Sequence, residues 1–243
     1  AAALRIIDTH GGSGLYDLRG LEAKRSGEAE AGVMRLMASS NPPEEMAALI
    51  AAVRAANDGG ETLLYPGSPW LIAQALRATD TYRVFEMQPD EHRRLSRLMA
   101  GRPGVETRCA DGFAEARQAL APRDRHLILI DPPFERADDY ERSCDVTAEA
   151  LARDPATRLL IWLPLKDLHT LDVFVRDLED ACDGAPILIA EARMRPLDDP
   201  MKMNGCALAL VNAPAGAQAA LTRICECVTA GSAAGKALVW TAG

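Results

Sequence analysis

The chain has 243 residues, a formal net charge of −8 and 48% hydrophobic residues, which favours one α/β domain with an insertion over two separate domains. No apolar run approaches the ~18 residues of a membrane span, and the apolar part of the opening sequence, AAALRIIDTHGG, is too short for a signal peptide. The acidic balance argues against a large nucleic-acid surface. Six scattered cysteines, with no zinc-ligand spacing and no His cluster, predict reduced thiols in a cytoplasmic protein without a bound metal.

The first predicted element is a strand at 4–7, which runs into the glycine-rich sequence DTHGGSG at 8–14. A strand followed by an acid and a glycine turn is the layout of a nucleotide-binding crevice in a doubly wound sheet. Gly12 and Gly14 let the backbone pass close to a ligand where a Cβ would collide. The spacing is neither GxGxxG nor a P-loop, and it suits a ligand without a pyrophosphate, such as S-adenosylmethionine. A plain glycine turn at a strand end is the alternative.

Residues 17–62 interrupt the alternation of strands and helices. Amphipathic helices are predicted at 28–37 and 43–57, the second ending at Asp58-Gly59-Gly60. A crossover between parallel strands needs about a dozen residues, whereas roughly seventy separate the first two strands here. We therefore predict that a single domain, 1–243, carries an inserted helical subdomain at 17–62, suited to hold a large substrate.

After the insertion, the sequence YPGSP at 65–69 predicts a turn that leads into a helix at 70–77. Pro69 stands where the first residue of a helix tolerates proline. Ser68 would then be the N-cap of this helix. Capping alone accounts for Ser68, and contact with a ligand is the alternative.

The next two predicted strands both lead into acids. The strand at 82–86 ends in Glu86, and an acid at that position of a doubly wound sheet is placed to accept hydrogen bonds from both hydroxyls of a ribose. A helix at 89–100 and a strand at 105–109 follow, and then the sequence ADGF. Asp111 can accept from an adenine amine, and Phe113 can flank the adenine ring. A solvated glutamate at a strand end is the alternative for Glu86.

The fourth strand and the most informative motif lie in HLILIDPPFE at 126–135. The uncharged run 127–130 predicts a strand buried on both faces of a parallel sheet, and two prolines end it because they have no N–H for the ladder. The tip then carries the Asp131 carboxylate, the Pro132 carbonyl and the Phe134 ring, which is predicted to be exposed. Two acceptors and a stacking ring suit a planar base with an exocyclic amine. A rigid turn is the alternative.

The remaining sequence continues the alternation of helices and strands. The predicted elements are a helix at 145–152, strands at 158–164, 187–192 and 206–212, and helices at 168–181 and 217–228, while a final strand at 237–240 is left open. We predict an α/β fold with a Rossmann-like, seven-stranded, mostly parallel sheet. Ligands bind such sheets at the carboxyl ends of the strands, where the glycine turn, the two acids and DPPF all fall.

These motifs together resemble a known family. Asp-Pro-Pro-aromatic after the fourth strand resembles the amino-methyltransferases that use S-adenosylmethionine. DTHGGSG, YPGSP, the strand ending in Glu86, ADGF and LILIDPPFE, in this order, resemble the RlmJ family, the bacterial 23S ribosomal RNA adenine-N6 methyltransferases. YPGSP with the long insertion distinguishes this family from DNA adenine methylases. The resemblance implies a class I methyltransferase fold, S-adenosyl-L-methionine as cofactor, and a monomer that acts on 23S ribosomal RNA, protein-free or in an early assembly intermediate.

The resemblance also implies site residues. Phe134 stands where a tyrosine is common in the family, which keeps a ring for stacking but loses a hydroxyl. A His- and Lys-containing segment precedes the first strand in that family, and the printed sequence starts at Ala1 on that strand, so we expect that segment to be absent from it. Together with Gly12 and Gly14 of the glycine turn, the cofactor pocket would be lined by His10, Ser68, Glu86, Asp111, Gly112 and Asp131, and the target adenine would be held by Asp131, Pro132 and Phe134.

Two other functions remain open on the residues alone. DPPF does not distinguish RNA methylation from the adenine-N6 or cytosine-N4 methylation of DNA. A catalytically silent RNA-binding protein on the same fold is the second alternative.

Overall fold

The computed structural model describes residues 3–20, 30–120, 125–136, 138–199 and 201–243. Its strands are β1 (Leu4–Asp8), β2 (Leu15–Asp17), β3 (Leu64–Pro66), β4 (Thr81–Phe85), β5 (Val105–Arg108), β6 (Arg125–Ile130), β7 (Arg158–Leu165), β8 (Ile187–Arg193), β9 (Gly205–Val211) and β10 (Lys236–Ala242). Its helices are α1 (Arg35–Ala38), α2 (Ala47–Ala56), α3 (Ser68–Ala75), α4 (Pro89–Met99), α5 (Gly112–Ala119), α6 (Asp139–Arg153), α7 (Leu168–Cys182) and α8 (Ala217–Thr229). A π-helical turn (Glu30–Met34) precedes α1, and a 3-10 turn (Glu44–Met46) precedes α2.

The main sheet has the strand order β10-β8-β9-β7-β6-β1-β4-β5. The five strands β7, β6, β1, β4 and β5 are parallel, whereas β9, β8 and β10 join through antiparallel pairs. The predicted α/β fold is confirmed, but the predicted count of seven strands is wrong. The chain's last strand runs from Lys236 to Ala242 and pairs with β8 along its whole length, which adds an eighth strand.

Alternate residues of the central strands face two separate layers of helices. Ile7 and Phe85 point into the larger core, which includes Phe174 of α7. Ile6 and Val84, one position away, point into a second cluster with side chains of α4. Because both faces of the parallel strands are covered by helices, the open places on this part of the sheet are its strand ends.

The insertion predicted at 17–62 is closed at its base by a small antiparallel sheet. β2 pairs with β3 in a register that places Tyr16 opposite Tyr65. The prediction of a turn at 65–69 is therefore wrong for Tyr65 and Pro66, which are in β3. Pro66 can occupy a strand here because both strands of a two-stranded sheet are edge strands, where proline is tolerated. The predicted helix at 28–37 is the short turn and α1, with residues 28 and 29 outside the described part, and the one at 43–57 is a 3-10 turn followed by α2.

The described part of the insertion packs against the last helix. Arg223 of α8 forms an ion pair with Glu45. Arg35 donates from its guanidinium to the carbonyl oxygens of Cys227 and Val228, at 3.1 and 2.5 Å. The insertion is thus held at both its base and its far side, while its standing as a separate subdomain stays a prediction.

Membrane-spanning helices and metal-binding clusters are both absent from the described residues. No helix there has the combination of length and apolar character that crossing a membrane needs. In the same residues, no three His, Cys, Asp or Glu side chains are grouped to hold a metal ion. The six cysteines are unpaired.

The contact between the insertion and α8 can be tested by replacing Arg35. We expect Arg35→Ala to raise the rate of limited proteolysis within 17–62 roughly tenfold or more, because two hydrogen bonds from a charged donor, worth roughly 1.5–3 kcal/mol each, are lost. Arg54→Ala is the matched control, since Arg54 is exposed in the same insertion. Equal cleavage rates for the two variants would show that the insertion does not depend on Arg35 for docking.

Candidate active site

The carboxyl ends of β4, β1 and β6 lie side by side at one edge of the sheet. Asp8, the last residue of β1, is paired in register with Val84 of β4 and with Leu129 of β6. Glu86 and Asp131 follow these two residues by two positions each. Adjacent strands are about 4.8 Å apart. The structure therefore brings the glycine turn, Glu86 and Asp131 together at this edge, as the sequence predicts.

The glycine turn is bonded directly to the end of β4. Gly12 and Gly14 have φ values of +56° and +76°, in the left-handed region that favours glycine. The Gly12 N–H donates to Glu86 Oε2 at 2.9 Å, and the Gln88 N–H donates to Glu86 Oε1 at 2.7 Å. A Cβ at Gly12 would lie 2.1 Å from Tyr16 Oη. Glu86 is thus fixed in place, and its carboxylate still has lone pairs to accept further donors.

The end of β5 is fixed against the same turn. Asp111 is the N-cap of α5, accepting from the N–H groups of Phe113 and Ala114, and it also pairs with Arg142 at 2.5 Å. A Cβ on Gly112 would lie 1.9 Å from the Thr9 carbonyl oxygen. Only glycine fits this close approach. The Asp111 carboxylate therefore has structural partners on both oxygens, and its contact with a cofactor stays a prediction.

Phe113 is not available to flank a ligand, so that prediction is wrong. Its ring is 1% exposed. His10 packs edge-on against it, with ring centroids 4.8 Å apart, and the Arg142 guanidinium lies 4.4 Å from the ring centre. Burial lowers the pKa of His10 to about 4, with the nearby Arg142 adding to the effect and Asp111 opposing it. His10 is therefore a neutral group beside the glycine turn.

Ser68 does not cap a helix as predicted. The helix begins at Ser68 itself and its cap is Gly67. The Ser68 hydroxyl instead donates to Asp8 Oδ2 at 2.9 Å, and the Tyr82 hydroxyl donates to the same oxygen at 2.8 Å. Asp8 is fully buried, and burial raises its pKa to about 6 against the effect of these hydrogen bonds. In the sequence, Asp8 is only the first residue of the glycine motif, and no local pattern signals its partners Ser68 and Tyr82.

Asp131 combines solvent access with a raised pKa. The residue is exposed, and desolvation by the surrounding protein raises the pKa of its carboxyl group to about 7. The negative charge of Asp8 contributes in the same direction. These two acids at adjacent strand ends are electrostatically coupled.

The rest of the DPPF motif departs from the prediction at one residue. Phe134 is buried, with 8% of its surface exposed, and not an exposed ring. Its backbone is left-handed (φ 51°), and its ring packs on Tyr140 and Trp162, with centroid distances of 4.6 and 6.2 Å. Within the described residues, no donor is bonded to the carbonyl oxygen of the buried Pro132. The roles of Pro132 and Phe134 toward a base stay predictions.

The architecture defines the class of protein. A glycine turn after β1, an acid after β4 and Asp-Pro-Pro-Phe after β6, all at the carboxyl edge of a mostly parallel sheet, belong to a class I methyltransferase. A crystal structure of a protein from Legionella pneumophila str. Philadelphia 1 shares this fold, with a TM-score of 0.88 and 24% sequence identity over 100% of this chain and 90% of that one.

The particular family follows from sequence comparison. The family described as "Ribosomal RNA large subunit methyltransferase D, RlmJ" matches residues 1–241. The ribosomal RNA large subunit methyltransferases J of Haemophilus influenzae and Escherichia coli (strain K12) are each 31% identical to this chain, over 210 and 209 residues, which cover 86% of this chain and 74% of each relative. The chain belongs to the RlmJ family of ribosomal RNA large subunit methyltransferases.

The buried acid of β1 gives a testable dependence of stability on pH. The pKa of Asp8 rises from 3.8 to about 6 on folding, so the folded protein keeps a proton that the unfolded chain releases. The contribution of this group to stability is therefore present in full below pH 3.8 and is lost as the pH rises through about 6. Urea unfolding measures the free energy of unfolding at pH 4.5 and at pH 7.5. Between these two pH values it should fall by roughly 2 kcal/mol more for the wild type than for Asp8→Asn.

A control variant isolates this effect from other carboxyl groups. Asp172→Asn removes an exposed carboxylate of α7 that pairs with Arg176 on the surface. It should keep the wild-type pH dependence. If Asp8→Asn behaves like Asp172→Asn, Asp8 is not the group that holds the proton.

Proposed function

We propose that this chain transfers a methyl group from S-adenosyl-L-methionine to the N6 amine of an adenine in 23S ribosomal RNA, in the cytoplasm. Membership of the RlmJ family supports the reaction class. The observation that carries the proposal is Asp131: a solvent-accessible carboxyl group at the end of β6, level with the glycine turn and Glu86. One strand end thus offers an acceptor for a substrate amine beside a turn shaped for a nucleoside-containing cofactor.

The residues present fit the cofactor. The Gly12 N–H of the glycine turn fixes the Glu86 carboxylate, which has spare lone pairs for ribose hydroxyls. The neutral imidazole of His10 adds no positive charge beside a cationic sulfonium. When bound, S-adenosylmethionine supplies an electrophilic methyl group. We assign cofactor contacts to His10, Gly12, Gly14 and Glu86 as the primary set.

In the proposed mechanism, Asp131 and Pro132 hold the target amine. The adenine amine is a poor nucleophile because its lone pair is delocalised into the ring. One Asp131 carboxylate oxygen would accept one N6 hydrogen, and the Pro132 carbonyl oxygen would accept the other, which raises electron density on nitrogen and favours pyramidal geometry. Fixing the amine in this position contributes through orientation as well. The N6 proton becomes acidic only after attack, and a carboxylate with a pKa of about 7 is suited to receive it at Oδ.

The position of Asp131 also constrains the state of the RNA. A base buried in a helical stack cannot place its amine at the edge of a protein sheet, so the adenine must be turned out, at a cost of a few kcal/mol. We therefore propose RNA that is protein-free or in an early assembly intermediate as the substrate.

Replacing Asp131 tests the proposed function directly. Asp131→Ala should lower kcat/KM for tritiated-methyl transfer to protein-free 23S ribosomal RNA by roughly 10²–10³-fold or more, because the oriented acceptor is lost. Its affinity for S-adenosylhomocysteine, measured by calorimetry, should stay within about threefold of the wild type. Asp138→Asn, which removes a surface partner of Arg136 in the same loop, is the control and should keep full activity.

Two results would contradict this assignment. Turnover retained in Asp131→Ala would mean that another group holds the amine. Preferential methylation of duplex DNA by the wild type, in a parallel assay, would replace RNA as the substrate, and a wild type that methylates neither would favour a silent RNA-binding protein.

The raised pKa of Asp131 predicts a pH–rate profile. The charge of Asp8 on β1 raises the pKa of this carboxyl group, and Asp131 in turn raises the pKa of Tyr16 and Tyr65 on the small sheet and of Cys206 on β9. A protonated Asp131 donates where the amine needs an acceptor, so kcat/KM should rise with pH through about 7. The affinity for S-adenosylhomocysteine over the same range serves as the control. A profile that is flat or falls between pH 6 and 8 would show that ionised Asp131 is not required.

A further inference from the structure

Burial of Phe134 raises the question of which ring meets the target base. The chain has four Phe, four Tyr and three Trp, all within the described residues. Only two of these side chains are exposed, Tyr16 at 42% and Trp240 at 36%. Trp240 lies on β10, at the opposite end of the sheet from β5, and three strands separate β10 from β6. Tyr16 is the exposed aromatic residue of this edge.

Tyr16 lies directly against the glycine turn. Its hydroxyl occupies the space beside Gly12, where a Cβ would be 2.1 Å away, and its ring edge is 2.9 Å from where a Cβ on Gly67 would stand. The Gly67 N–H donates to the Gly14 carbonyl oxygen at 3.0 Å. These contacts fix the small sheet to the turn, so the ring is held at the junction of the glycine turn and the insertion.

The neighbouring strand adds a second tyrosine on the same side. Tyr65 is directly opposite Tyr16 in the β2–β3 pair, and directly opposite residues project from the same face of a sheet. Burial, and then the negative charge of Asp131, raise the pKa of Tyr16 to about 12 and raise that of Tyr65 as well. Both hydroxyls are therefore neutral and both lie within electrostatic reach of Asp131. Both tyrosines therefore project from the face of the small sheet that lies against the glycine turn.

We propose that the ring of Tyr16 is the surface on which the target adenine stacks, a role that the sequence pattern assigns to Phe134. This inference rests on the proposed function. The exposed ring at the glycine turn can accept the face of a base held by Asp131, whereas the Phe134 ring is covered by Tyr140 and Trp162. Phe134 then shapes the loop that presents Asp131, and Tyr65 forms the adjoining wall of the base site.

If the target adenine stacks on Tyr16, removal of the ring should lower activity on RNA without weakening cofactor binding. Base–aromatic stacking is worth ~1–3 kcal/mol, so Tyr16→Leu should lower kcat/KM for 23S ribosomal RNA by about 5- to 150-fold. Tyr16→Phe keeps the ring and should stay within about threefold of the wild type. Both variants should bind S-adenosylhomocysteine with near wild-type affinity by calorimetry, and thermal unfolding verifies that they are folded. Trp240→Leu removes the other exposed ring and should leave kcat/KM unchanged.

Each contrary result has a distinct meaning. Wild-type kcat/KM in Tyr16→Leu overturns the inference and leaves the proposed function standing. If Tyr16→Phe and Tyr16→Leu lower kcat/KM equally, the inference is overturned, because the hydroxyl and not the ring is then required. If the affinity for S-adenosylhomocysteine falls as much as kcat/KM for RNA, the inference is overturned because Tyr16 then contacts the cofactor. Absence of methyl transfer by the wild type overturns the proposed function itself.

Discussion

The arrangement of the site depends on the buried carboxyl group of Asp8. Two hydroxyls, from Ser68 and Tyr82, donate to one of its oxygens, and the His10 N–H donates to the other at 3.2 Å. Through these bonds one side chain joins the end of β1 to β4, to the first turn of α3 and to the glycine turn. Each of the hydrogen bonds favours the ionised acid, while complete burial opposes it more strongly. The site is therefore built around a carboxyl group whose ionised form is destabilised by burial.

The ionised form of Asp131 is destabilised as well. Burial is the main cause of the raised pKa of Asp131, and the charge of Asp8, one strand away, raises this pKa further. Two like charges that share an edge cannot ionise independently, and their titrations are thereby coupled. The Asp8 carboxyl group that fixes the glycine turn thus adds to the effect of burial in raising the pKa of the proposed amine acceptor to about 7.

The sequence predicted the backbone of the site better than its side chains. Strand ends, the glycine turn and the acids at 86, 111 and 131 follow from local patterns, since prolines and glycines limit the backbone wherever they occur. The directions of Ser68, Phe113 and Phe134 depend on partners distant in sequence: Asp8, Arg142 and Trp162. No periodicity encodes such contacts, so the sequence does not reveal that the rings of Phe113 and Phe134 are buried.

The position of Tyr16 also depends on a partner that is distant in sequence. In sequence it follows a glycine motif and precedes an insertion, with no pattern of its own, and it gains meaning only when β3 returns some fifty residues later and pairs with β2. This pairing closes the insertion and, in the same step, places an exposed ring against Gly12. An insertion that is anchored beside the glycine turn can therefore supply a wall of the base site without altering the sheet that carries the acids.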